Sequence, residues 1–150
     1  TFQMGEYGGA RAHFSDALNY YGQLEETTSV IMTFQWLGTV SLALDDHEEA
    51  AKFLRKALNA ALRIDDKGLA QDAMLGMAHM NVARGREGDA LEILAFLLSY
   101  PELTDVVEDD AEQLVFDLEE SLSQEVIAHF WELGKAHTFE TLAEKLVDER

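Results

Sequence analysis

Apolar residues recur through most of this chain at intervals of three and four, the spacing that lines one face of an α-helix. A small, a large and a small residue at Ala10, Phe14 and Ala17 return at Ala50, Leu54 and Ala57. They return again at Ala90 and Leu94, with Leu97 in the last place, so three segments align at a spacing of 40 residues. The second and third segments each follow a stripe of their own, Phe34, Leu37, Gly38 and Ser41, then Met74, Met77, Ala78 and Asn81. Between stripe and segment lie Leu44-Asp45-Asp46-His47-Glu48 and Ala83-Arg84-Gly85-Arg86-Glu87-Gly88, which place Asp and Gly where one helix should stop and the next begin. The pattern predicts helical hairpins. Small residues at Gly38 and Ala78, facing Ala50 and Ala90, would let the paired helices come close, while Leu97 in a small residue's place predicts looser packing there.

Beyond Ser99-Tyr100-Pro101 the 40-residue pattern fades, but Leu103, Val107, Ala111, Leu114, Leu118 and Leu122 continue a helical stripe over about five turns. Ser123 is the expected N-cap of a further helix through Val126, Ile127, Phe130, Trp131 and Leu133, ended by Gly134. Thr138 is placed to cap a last helix with Phe139, Leu142, Leu146 and Val147 on its apolar face, although Thr141 stands where a capping box has Glu or Gln. Glu140, Glu144, Lys145, Asp148, Glu149 and Arg150 give that helix a polar outer side.

Composition agrees with an all-α chain. Among 150 residues, 47% are hydrophobic and only one, Pro101, is proline, which suits a packed helical core and excludes disorder. There is no cysteine, so disulfides, thiolate metal sites and a cysteine nucleophile are excluded, and a reducing, cytoplasmic setting is the expectation. No stretch approaches the roughly 18 uninterrupted apolar residues of a membrane span. A formal charge of −18 argues against direct binding to nucleic acid or an anionic membrane. The imbalance is local: Lys and Arg are absent from Glu87 to Gly134, while Glu102, Asp105, Glu108, Asp109, Asp110 and Glu112 crowd together. Such a run either steers a basic partner or is a solvated helix face, and the second is the commoner case.

Candidate chemistry is sparse. Gly8-Gly9 and Gly85-Arg86-Glu87-Gly88 lack the spacing and the lysine of a phosphate loop. His13, His47, His79, His129 and His137 include no pair four residues apart that would hold zinc from one helix face. Asp45-Asp46-His47-Glu48-Glu49 lacks the alternating ligands and glycine of a calcium loop and reads as a turn with acids at a helix start. Glu108-Asp109-Asp110 and Glu119-Glu120 show no pair held apart in a cleft, and Ser15, Ser41 and Ser99 no nucleophile elbow. No catalytic residue, metal or cofactor is expected. Trp36, Met32, Met74, Met77 and Met80 read as core, with one or two of them facing a groove.

The residues Phe34, Leu37, Gly38, Ala50, Leu54 and Ala57 resemble the tetratricopeptide repeat, with Met77, Ala78, Ala90 and Leu94 continuing the pattern. Two departures stand out: Ser41 and Asn81 occupy the usual tyrosine position, and the period is 40 residues instead of about 34. Elongated repeats of this kind look like the C-terminal arrays of large bacterial signal-transduction ATPases and transcriptional regulators. Ala90-Leu91-Glu92-Ile93-Leu94 before Tyr100-Pro101, and Gly134-Lys135-Ala136 before Phe139-Glu140, resemble the tail of such arrays.

The resemblance implies antiparallel hairpins stacked as a right-handed solenoid in a single domain over 1–150. Residues 1–101 would be repeats, the first lacking its partner helix, and 102–150 C-terminal helices and a cap. It further implies a concave face formed by the first helix of each hairpin, where Gln35, Thr39, Asp72 and His79 would meet a peptide or small effector. The expected function is non-catalytic protein interaction or ligand sensing within a larger regulator. Its partners would be a protein or peptide, or other domains of the same parent chain. A free-standing adaptor and a self-association module, with a homodimer formed through the unpaired N-terminal helix, are the alternatives.

Overall fold

A computed structural model describes residues 27–148, which form seven helices and no strand. These are α1 (Thr27–Ala43), α2 (His47–Arg63), α3 (Lys67–Ala83), α4 (Glu87–Ser99), α5 (Asp105–Glu119), α6 (Gln124–Lys135) and α7 (Phe139–Asp148). Ala10, Phe14 and Ala17 lie outside the described residues. The chain divides into two compact units, Thr1–Gly76 and Met77–Arg150, and the division falls within α3.

The first four helices begin 20 residues apart, and α1, α2 and α3 are each 17 residues long. The turns between them share one geometry. Asp45, Asp65 and Gly85 adopt positive φ, at 61°, 55° and 78°. Each donates its N–H to the carbonyl three residues back, on Leu42, Leu62 and Val82, and the next residue's N–H reaches five back, to Ser41, Ala61 and Asn81. This is the Schellman closure, which satisfies carbonyls a helix end would otherwise leave unpaired. Asp46 and Asp66 then cap the following helices, accepting from the N–H groups of Glu49 and Leu69 at 3.2 and 3.0 Å. The middle turn, Ile64-Asp65-Asp66, completes the set that the sequence pattern showed at its two ends.

In the first unit, α1 and α2 pair antiparallel through the positions the repeat singles out. Leu37, Ala50 and Ala57 are fully buried and Leu54 nearly so. Gly38 shows why bulk is avoided: a Cβ there would lie 3.0 Å from the Leu54 side chain and 3.7 Å from the Ala50 carbonyl oxygen. A Cβ on Gly76 of α3 would stand 2.8 Å from Leu54 Cδ2, so Leu54 is seated between glycines of two helices. Phe34 is half-buried, its ring 6.3 Å from that of Phe53 and capped by Lys56 Nζ at 5.6 Å. Ser41 is fully buried and its hydroxyl has no hydrogen-bond partner among the described residues.

In the second unit, α4 is the central helix. Every residue from Ala90 to Leu97 is buried, including Leu94, Leu97 and the charged Glu92. Helix α6 runs parallel to α4 and touches its backbone twice. The Phe130 ring fills the place a side chain on Gly88 would need, and Gly134 lies against the Glu92 carbonyl and, at 2.6 Å for a built Cβ, against Ala95. Leu97 itself, in the place of a small residue, is fully buried. Gly134 is also not the end of its helix: it is helical and buried, and α6 continues to Lys135, because this glycine serves close approach and not chain reversal. Met77 and Ala78 of α3 are buried as the repeat implies.

Helix α5 is shorter than its stripe. Val107, Ala111, Leu114 and Leu118 are buried, while Leu103 and Leu122 lie half-buried outside its ends. Ser123 caps α6 by accepting from Val126 N–H at 3.2 Å. Thr138 caps α7 through Thr141 N–H, and Thr141 Oγ1 accepts from Thr138 N–H at 2.9 Å, so threonine closes the reciprocal box that the absence of Glu or Gln left incomplete. Phe96, Tyr100 and Phe139 then meet ring to ring at 5.5 to 6.1 Å and hold α7 to α4.

Gly134→Ala should destabilise the chain by about 2 kcal/mol or more, because its new methyl meets backbone, whereas Ser41→Ala should be neutral or stabilising by about 1 kcal/mol as an unpaired buried hydroxyl is removed. Urea unfolding of the two variants beside the parent chain reads both, and equal midpoints for parent and Gly134→Ala would refute the close contact.

Candidate functional site

Three surface or polar arrangements have the makings of a site. The first is the α1 face that carries Gln35 and Thr39. Gln35 is half-buried and donates its side-chain amide to the Leu69 carbonyl at 3.0 Å, joining α1 to α3. Thr39 is exposed and its hydroxyl turns back to the Gln35 carbonyl at 3.1 Å. Met32 and Trp36 share this face at helical spacing and are 57% and 39% exposed. They are thus exceptions to the core reading, which holds for Met74, Met77 and Met80. Asp72 is exposed one turn beyond Leu69 on α3. Partial desolvation, with the charge of Asp66 adding to it, pushes the Asp72 carboxyl above its ordinary range. His79, in the second unit, is half-buried with Nε2 3.0 Å from Asp110 Oδ1 on α5.

The second arrangement is polar and internal. Glu92, on the otherwise apolar α4, keeps a side chain only 5% exposed and binds two partners. His137 Nε2 lies 2.6 Å from Oε2, and Lys145 Nζ donates to both carboxylate oxygens at 3.0 and 2.9 Å. Thr141 Oγ1 holds the far ring nitrogen of His137 at 2.9 Å. Lys145 thus reaches a buried charge while its own side chain stays 42% exposed, so it remains on the polar side of α7 with Glu140, Glu144 and Asp148. Burial alone would raise the Glu92 carboxyl, but the hydrogen bonds and charges of Lys145 and His137 outweigh it and hold the group below its ordinary value. This cluster binds α4, the α6–α7 joint and α7 to one another. The sequence signal was a lone acid in an apolar run, legible as buried but not as paired.

The third arrangement is an open cleft of about 390 Å³ between α5 and α6. Val115, Ile127, Ala128 and Trp131 form its apolar lining, and Glu119, Gln124 and Glu132 lie around them. On α6, Gln124, Ile127, Ala128 and Trp131 follow the i, i+3, i+4, i+7 rhythm of a single face. Among the apolar residues of α6 none is buried: Val126 and Leu133 are 37% and 42% exposed, and Ile127, Phe130 and Trp131 are intermediate. Nearby on α5, Phe116 is 62% exposed.

Among the described residues, no helix is long and apolar enough to cross a membrane, and no group of three or more His, Asp or Glu is placed to hold a metal ion. No known protein family matches the chain, and no curated protein or solved structure is significantly similar to it.

The Glu92 cluster gives stability a defined pH dependence. Because the native carboxyl titrates below its unfolded value, its contribution is complete above the unfolded range near about 4.3 and is lost as pH falls through the native value. Unfolding curves between pH 3 and 7 should fall more steeply at the acid end for the parent chain than for Glu92→Gln. Parallel curves would show that this carboxylate is not coupled to folding.

Proposed function

We propose that the chain is a non-catalytic interaction segment, a tetratricopeptide-like array whose antiparallel hairpins stack as a right-handed solenoid, serving a larger bacterial signalling or transcriptional regulator in the cytoplasm. It binds a peptide segment or a small effector and relays occupancy to a switch module of the parent protein. The observation that carries this reading is the α1 face, where exposed Met32 and Trp36 accompany Gln35 and Thr39. Apolar and aromatic side chains exposed beside polar ones are the usual makings of a protein-recognition surface, and Met and Trp are enriched there. The regular helix-turn recurrence supports the array, since each hairpin presents one face to its neighbour and leaves another for a ligand.

The encoding reading frame tests the parentage: a nucleotide-hydrolysing module with an effector domain supports a regulator, and repeats alone point to an adaptor. Within the parent protein, Thr39→Arg combined with Asp72→Lys should weaken the effector response by at least about tenfold, while stability of the 150-residue chain changes by no more than about 0.5 kcal/mol, as expected of exposed positions. An unchanged response would remove this face from the mechanism.

A further inference from the structure

We propose that the α5–α6 cleft docks a cationic amphipathic helix of a partner protein, which sets apolar side chains against Val115, Ile127 and Trp131 and lays Lys or Arg along Glu119 and Glu132. The proposal rests on the reading of the chain as an interaction segment, but it concerns a different surface from the Gln35 and Thr39 face.

Three observations converge on it. Helix α6 is already anchored on its α4 side, where Phe130 meets Gly88 and Gly134 meets the Glu92 backbone. Folding uses that side, and the cleft side keeps Ile127 and Trp131 only partly covered. The shape is also right: the four-residue face of α6 opposite Val115 of α5 makes a trough of about 390 Å³, open along one side, which suits the apolar ridge of a helix laid into a groove. Charge then selects the occupant. No Lys or Arg occurs from residue 87 to 134, and the nearest, Lys135, sits 3.9 Å from Glu132 with both side chains largely solvated. Along α5, Glu108 and Glu112 continue the line of Val115 and Glu119, so the acidic margin extends beyond the cleft.

A second copy of this chain would bring the same carboxylates against one another, and an anionic membrane would meet like charge. A segment with an apolar stripe flanked by Lys and Arg meets both features at once: burial supplies affinity, and the carboxylates steer the approach and set register.

The test is calorimetric titration of the 150-residue chain with synthetic helical peptides of about 16 residues. One peptide carries leucines at i, i+3, i+4 and i+7 between lysines, a second has the same composition with the leucines scrambled, and a third has Glu for Lys. The patterned basic peptide should bind about tenfold more tightly than the scrambled one, and the acidic one should not bind. Ile127→Glu, and separately Glu119→Lys with Glu132→Lys, should each weaken the patterned peptide about tenfold, one step in the usual range for an interface anchor. All three positions are incompletely buried, so circular dichroism of both variants should match the parent.

Equal affinity for patterned and scrambled peptides would reduce the attraction to bulk charge and overturn the proposal. So would undiminished binding to both variants, or a dimer of the chain in sedimentation that Ile127→Glu disperses. If Thr39→Arg and not Ile127→Glu abolishes binding, the peptide occupies the α1 face, which overturns the cleft assignment while upholding the reading above. Absence of any binding overturns the cleft alone and leaves the α1 face to its own test.

Discussion

Two helices approach to backbone distance only where one of them gives up its side chain, and the packing of both units depends on where that happens. Leu54 is accommodated because Gly38 on one side and Gly76 on the other have no Cβ to meet it. The same device holds α6 to α4, with Gly88 receiving Phe130 and Gly134 lying on the α4 backbone. Each contact converts a position of poor helix propensity into dense apolar burial. A glycine costs about 1 kcal/mol in a helix interior, and a well-buried leucine or phenylalanine contributes about 1.5–3 kcal/mol. The exchange favours the closely packed pair.

A helix as thoroughly covered as α4 leaves little room for charge, yet Glu92 sits in its middle. Its carboxylate is acceptable there because Lys145 and His137 supply hydrogen bonds and opposite charge from the chain that follows. The pairing gives the last helix an orientation that apolar contact alone does not define, since Lys145 and Phe139 must face α4 together. Of the acids of α5, Asp110 pairs with His79 at the surface. Glu119 and Glu132 border solvent and shape the field around the cleft.

The helical periodicity was legible because it is a repeated demand: Leu37, Ala50, Leu54, Ala57, Ala90 and Leu94 recur for the same packing reason and are all buried. Turns with Asp or Gly were legible for the same cause, a left-handed residue at the ends of α1, α2 and α3. What escaped was pairwise and non-repeating. Gly134 looked like a helix terminator because sequence does not reveal that its neighbour is the Glu92 carbonyl, and the pairing of Lys145 escaped because Glu92 lies 53 residues away. The proposed face was only half legible: Gln35 and Thr39 follow from the repeat resemblance, but Met32 and Trp36 carry the same apolar signal as the buried methionines of α3, and only accessibility separates them.

The uniformity of the three left-handed turns bears on how such a chain can change length. Successive joints at Asp45, Asp65 and Gly85 share one geometry, so a hairpin bounded by two of them can be duplicated or lost in the gene and the new junction will be one the chain already makes. At Tyr100 the backbone is extended and proline follows, which ends that interchangeability. Growth by whole hairpins is thus open on the amino-terminal side of α4 and closed after it, and the carboxy-terminal helices can diversify residue by residue while the repeats diversify by number.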